Sequence, residues 1–127
     1  MIEAAIYQKL STTVLITDLV STRVYPYYLP QNPVYPAMTY RRISTNQPIS
    51  IDGPGDLDFA RFQFDCYAAA YAECKEITAA LRSAFVGFSG TVAGVDICGT
   101  WFLNEVDRFD DRADVLDIVV DIRVSYK

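Results

Sequence analysis

Apolar positions change their period several times along this 127-residue chain, and each change marks an element. Ile2, Ile6 and Leu10 fall four apart with Ala5 beside them, which predicts a short amphipathic helix over 2–10. Val14, Leu15 and Leu19 predict a second short helical turn capped by Ser11 or Thr12. Helices this short are not stable alone, so both must pack on something larger.

From Tyr25 to Tyr40 the pattern is interrupted by Pro26, Pro30, Pro33 and Pro36, interleaved with Tyr27, Tyr28 and Tyr35. That density of proline excludes a helix or a central strand and leaves an extended connection. Its tyrosines either pin the segment to a sheet or form an aromatic recognition surface beside Arg41 and Arg42. Residues 37–45 read as an imperfect strand. Residues 59–67 are clearer, with Ala60, Phe62, Phe64 and Cys66 facing one way and Arg61, Gln63 and Asp65 the other. Between these strands, Asn46 to Asp58 carries Pro48 and Asp52-Gly53-Pro54-Gly55-Asp56, a loop too long for a tight hairpin.

The period becomes 3.6 from Tyr71 to Phe85, placing Cys74, Ile77, Leu81, Ala84 and Phe85 on one face. No Ser, Thr, Asp or Asn stands next to Tyr71 as a cap, and Gly87 and Gly90 follow the end. A long hairpin closes the chain, one arm from about Val95 to Asp107 and the other from Val115 to Tyr126. In the second arm Leu116, Ile118, Val120, Ile122, Val124 and Tyr126 alternate with a polar face of Asp117, Asp121, Arg123 and Ser125. At about 3.3 Å per residue that arm is nearly 40 Å long, so part of it is expected to reach beyond the core. The pattern predicts an α+β fold in a single domain over 1–127. Its antiparallel-rich sheet has about four strands, with one long helix and the short N-terminal helices packed on one face.

Composition narrows the chemistry. Hydrophobic residues make up 51% of the chain and charged residues 21%, globular proportions with no apolar run long enough for a membrane span. The chain has no histidine, which removes Ser-His-Asp and Cys-His nucleophile pairs and His metal clusters. A net charge of −5 argues against general nucleic-acid binding, which needs a basic face. Cys66, Cys74 and Cys98 lack C-x-x-C spacing and are expected to be reduced core residues of a cytosolic protein. Met1-Ile2-Glu3-Ala4-Ala5 has no signal-peptide character, so export is not expected.

Asp107, Asp110, Asp111 and Asp114 gather at the second turn, but they do not match a calcium loop, and Arg108 and Arg112 compete for the carboxylates. A salt-bridged, solvated turn is the expectation. Gly87, Gly90, Gly94 and Gly99 form no nucleotide-binding motif. Neither an enzyme nor a cofactor is expected.

Several runs carry a family resemblance. They are Arg23-Val24-Tyr25-Pro26, Pro36-Ala37-Met38-Thr39-Tyr40-Arg41-Arg42-Ile43-Ser44, Asp52-Gly53-Pro54 and Ala60-Arg61-Phe62-Gln63-Phe64-Asp65-Cys66-Tyr67, continuing through Ala69-Ala70-Tyr71-Ala72-Glu73-Cys74-Lys75. Together with Leu81-Arg82-Ser83-Ala84-Phe85 and the closing strand, the chain resembles the tail completion proteins of long-tailed bacteriophages, also called tail terminators or tail-to-head joining proteins.

The resemblance implies a non-catalytic virion protein of the tail and neck, assembled in the host cytoplasm. It would form a ring, hexameric in the family, on the head-proximal end of the tail tube. There it would stop tube polymerisation and dock the head–tail connector or stopper. Its partners would be further copies of itself, the tail tube protein and that connector, with DNA passing through unbound and no membrane.

Ring closure needs two different patches that meet on neighbouring copies. Tyr27, Tyr28, Tyr35, Arg41, Arg42, Ile49, Ile51, Asp52 and Leu57 are the candidates for that contact. Asp107, Asp110, Asp111 and Asp114 are candidates for the lumen or for docking a basic partner, because six copies at −5 each carry about −30. Another neck-ring protein, either a head–tail adaptor or a stopper, and a monomeric binding module using the Tyr/Pro segment are the alternatives. A small acid–base enzyme would instead require convergent carboxylates of perturbed pKa in a pocket.

Overall fold

A computed structural model describes residues 1–47, 49–50, 53–54, 57–110 and 114–127, of which 49–50, 53–54 and 110 are described by backbone alone. The chain begins with helices α1 (Ile2–Thr12) and α2 (Val14–Val20). Strands β1 (Val24–Pro26) and β2 (Ala37–Asn46) come next, followed by a two-stranded ribbon of β3 (Ile49–Ser50) and β4 (Gly53–Pro54). Strand β5 (Asp58–Ala68) leads into α3 (Tyr71–Phe85), and β6 (Gly90–Val92), β7 (Val95–Asp110) and β8 (Val115–Tyr126) complete the chain.

The main sheet has the order β1-β2-β5-β8-β7-β6. Four long strands, β2, β5, β8 and β7, pair with one another antiparallel, as expected from their patterns. The sheet nevertheless has six strands instead of four. The two additions are three-residue edge strands, β1 parallel to β2 and β6 antiparallel to β7, too short to show a period in sequence. Three helices of 11, 7 and 15 residues share the helical layer, so α3 is not set apart as one long helix.

One core lies between helices and sheet. Ile2, Ile6 and Leu10 of α1, Cys74, Ile77, Leu81 and Phe85 of α3, and Ala60, Phe62, Phe64 and Cys66 of β5 are all buried in it, on the predicted faces. Phe64 lies between Phe62, on which it stacks at a centroid distance of 6.4 Å, and Phe85, which it meets at a tilt at 5.3 Å. In α2 the expected stripe is shifted: Val14 and Leu15 are exposed while Ile16 and Val20 are buried. Neither Ser11 nor Thr12 caps that helix. Both hydroxyls donate back to Gln8 O, and Thr13 occupies the N-cap position while donating to Lys9 O.

Strand β8 is central. It pairs with β5 and β7 along its length, so it does not project from the core as its length suggested. Leu116, Ile118, Val120, Ile122, Val124 and Tyr126 face the helices. Asp117, Asp121 and Ser125 face the other way, yet they are also buried. Cys66 and Cys74 lie in the core, but Cys98 is exposed, contrary to expectation, because it sits at a bulge of β7 where the register shifts between Ile97 and Gly99.

Candidate interaction surfaces

Three surfaces stand out, and the first gathers residues from the Tyr/Pro segment. Strand β1 covers the outer edge of β2 only as far as Tyr40, where Pro26 is its partner and Tyr27 N donates to Tyr40 O at 3.0 Å. Pro26 suits this end because it has no N–H to donate. Tyr27 then turns the chain away with φ +67°, a left-handed conformation uncommon for a bulky residue. The result is a cavity of about 400 Å³ walled by Glu3, Ala4 and Tyr7 of α1, Pro26, Tyr27, and Tyr40, Arg41 and Arg42 of β2. Phe62 forms part of its lining. The Tyr7 and Tyr40 rings stack at 6.2 Å, and Arg42 Nη1 pairs with Glu3 Oε1 at 3.2 Å on the rim. Burial raises the Tyr40 phenol above its ordinary pKa, with Tyr7 and Glu3 adding to the effect, so it is a neutral hydrogen-bonding group here.

Of the sequence candidates, Tyr27, Arg41 and Arg42 therefore meet at one cavity. Tyr28 stands outside it, 80% exposed, with its ring 6.1 Å from that of Tyr27. Tyr35 is half-buried before its cis peptide bond to Pro36, and Leu57 is half-buried at the entry to β5. Ile49 lies in β3, and Ile51 and Asp52 fall outside the described residues.

The second surface is the helix-free face of the sheet. Arg41 donates through Nε and Nη2 to Gln63 Oε1 at 3.1 and 2.5 Å, and Gln63 Nε2 donates to Asp121 Oδ1 at 3.2 Å. Arg61 pairs with the other oxygen of Asp121. Further along the face, Arg108 Nη2 reaches Asp117 Oδ2 at 2.8 Å and Asp65 Oδ2 at 3.7 Å. The hydrogen bond to Asp117 holds the Arg108 guanidinium above its usual pKa. Burial raises Asp65, partly offset by the hydrogen bond from Tyr67 and the charge of Arg108. These two cross-strand groups, one across β2, β5 and β8 and the other across β7, β8 and β5, tie the four long strands together by charge-assisted contacts. The sequence placed its acids on the polar face of β8 but gave no sign that they are buried.

The third surface is the outer edge of β7. Strand β6 pairs only with Val95–Ile97, and Gly87 N donates to Thr100 O at 3.2 Å. Among the described residues no strand pairs with the outer edge from Trp101 to Phe109. Trp101, Leu103, Val106 and Phe109 are each 44–53% exposed along it. Sequence alternation did not reveal this stripe, because a second bulge, at Leu103, breaks the period of two, leaving Trp101 and Val106 on the helix-free face and Phe109 on the helix-covered one.

Part of the acidic turn lies within the described residues. Asp107 accepts from Tyr71 Oη at 2.8 Å and Lys75 Nζ at 3.4 Å, while Lys75 also reaches Glu105 Oε2 at 3.1 Å. Among the described residues, Arg108 pairs with Asp117 of β8 and Asp65 of β5. Asp114 is exposed with φ +55°, Asp110 ends β7, and Asp111 lies outside the described residues.

Fold and surfaces together define a small mixed α/β protein in which, among the described residues, two strand edges are left uncovered and an apolar cavity lies at one of them. The chain belongs to the tail completion protein gp17 family, whose model matches residues 4–127. Among solved structures it is similar to a chain of the virion of a native gene transfer agent particle, with 25% identity and a TM-score of 0.76 over 98% of this chain and 92% of that one. A second solved chain, 17% identical, shares the fold at a TM-score of 0.67, with 99% and 93% covered. No curated protein sequence matches the chain.

Proposed function

We propose that this chain is a non-catalytic structural protein of a phage-type virion. It closes the head-proximal end of a tail tube as a ring, hexameric as the family resemblance implies, and offers the surface on which the head connector or stopper docks. The observation that carries the reading is a pair of edges of one sheet that no strand among the described residues covers, Arg41–Asn46 of β2 and Trp101–Phe109 of β7. They are different patches at opposite ends of the strand order, as a closed ring of identical copies requires. They are also antiparallel in sense, because β2, β5, β8 and β7 reverse direction at every step. An edge of one copy can therefore extend the sheet of the next by main-chain hydrogen bonds. Membership of the tail completion family and the likeness to a gene transfer agent virion chain support this placement.

The Asn46–Asp58 loop and the acidic Asp107–Asp114 turn flank these edges in sequence and are assigned to neighbour and lumen or connector contacts. Deleting Ile49 to Leu57 should leave a folded chain that fails to close rings, measured by circular dichroism and native mass. Electron microscopy of tails made with and without the protein tests the whole reading. Tails of uncontrolled length that do not join heads are expected without it, and a ring at the tube end with it. Joined tails of normal length in its absence would favour a monomeric module binding a peptide in the Tyr27–Arg42 cavity.

A further inference from the structure

We infer that the cavity between α1 and the β1–β2 edge receives Phe109 of a second copy of this chain, and that β1 is the stop that sets the register of the joined strands. The inference rests on the edge-to-edge reading above and adds the residue that anchors it.

The layers agree. Phe109 pairs with Leu116, which packs on the helix-covered side, and Glu105 and Asp107 of the same alternation reach Lys75 of α3. Phe109 therefore belongs to the helix-covered layer, yet it is 53% exposed. The cavity opens in that same layer, since α1 supplies one wall and Tyr40 and Arg42 another. Extending the sheet from one copy to the next keeps Phe109 and the cavity on the same side without turning a strand over.

The register follows from β1. Its pairing and the Tyr27 N to Tyr40 O bond occupy the outer edge of β2 up to Tyr40, so an incoming strand can pair only from Arg41 onward. Because β7 runs opposite to β2, its C-terminal end is the end that meets this stop. Phe109 then lies across from Arg42, beside the stacked Tyr7 and Tyr40 rings. A slip of one residue would turn Phe109 to the other face.

Charge agrees as well. The rim carries Arg42, paired with Glu3, and Arg41, hydrogen-bonded to the neutral amide of Gln63. The incoming tip, 107–114, contains four aspartates and two arginines. Glu3, Arg41 and Arg42 give the rim a net charge of +1 and the sequence of 107–114 carries −2, charges of opposite sign around an aromatic anchor, an arrangement that concentrates binding energy in few residues.

The test joins two kinds of chain, both carrying Cys98→Ser so that the exposed native thiol is silent. One carries Phe109→Cys and the other Ala4→Cys; they are mixed, oxidised and mapped by mass spectrometry, both as purified full chains and on tails that carry the protein. The expected result is a link between positions 109 and 4 of different chains, far more frequent than for Phe109→Cys mixed with Ser83→Cys. Phe109→Ala alone should weaken self-association on the order of 30-fold while leaving the thermal midpoint in place. Oligomers that form normally with no enrichment of the 109–4 link would overturn the Phe109 assignment and leave the ring reading standing. A chain that stays monomeric both in concentrated solution and on tails would overturn both.

Discussion

On the helix-covered face of β8, burial is achieved by Ile118, Val120, Ile122 and Val124 packed against helices; on the opposite face Asp117, Asp121 and Ser125 are buried with no helix above them among the described residues. The first face excludes water by shape. The second does so by long neighbouring side chains, Arg61, Gln63 and Arg108, whose polar heads cap the carboxylates by hydrogen bonds while the two arginines stay about half exposed to solvent. A sheet face can thus be closed either by a second layer or by its own cross-strand pairs. The two solutions should respond differently to mutation.

The largest expected effect is on the covered face. Phe64→Ala removes a ring held between Phe62 and Phe85 and should cost about 3–5 kcal/mol, read as a lower denaturant midpoint. On the open face, Asp121→Ala removes the acceptor shared by Arg61 and Gln63. The expected loss is about 1–3 kcal/mol, smaller because Arg61 is half exposed and can turn to solvent. A loss equal to that of Phe64→Ala would mean that the ionic face is as much a core as the apolar one.

Asp65 sharpens the contrast through pH. Its folded pKa is raised, chiefly by burial, so the fold favours the protonated form. The stabilising contribution of that proton is complete below the ordinary aspartate value of about 3.9 and is lost as pH rises through the folded value. Asp65→Asn should therefore raise the melting temperature at neutral pH, and the gap should close in acid. A variant less stable than the parent at neutral pH would show that the contacts from Tyr67 and Arg108 outweigh the burial. The smallest stability change belongs to the open edge, where Leu103→Ser should stay within about 0.5 kcal/mol. The same change should weaken assembly, visible in native mass spectra.

Legibility in the sequence follows the same division. Periodic, water-excluding faces could be read: α3 and β8 have the predicted bounds, and Ala60, Phe62, Phe64 and Cys66 line the core as their alternation required. Strands β1 and β6 could not be read, because three residues carry no period and their pairing is decided by what lies beside them. Arg41 and Arg42 were visible as a charged pair, and Tyr27 as one aromatic among several. Their convergence depends on where β1 stops and on the approach of α1. Trp101, Leu103 and Phe109 escaped notice because the bulges at Cys98 and Leu103 break the alternation that would have marked an exposed stripe.

Those bulges bear on geometry at a larger scale. Each places one extra residue on β7 opposite none on β8, and a third sits at Ile43 in β2, between Arg42 and Ser44. Extra residues on one strand of a pair bend it and increase its twist. Both strands that would join neighbouring copies in the proposed ring are therefore the bent ones, and β5 and β8 between them pair in unbroken register. The arc subtended by each copy, and with it the bore of the ring, would be written into the insertion of single residues at Ile43, Cys98 and Leu103. Diameter would then be inherited as a count of residues along two strands, independent of the side chains that hold the copies together.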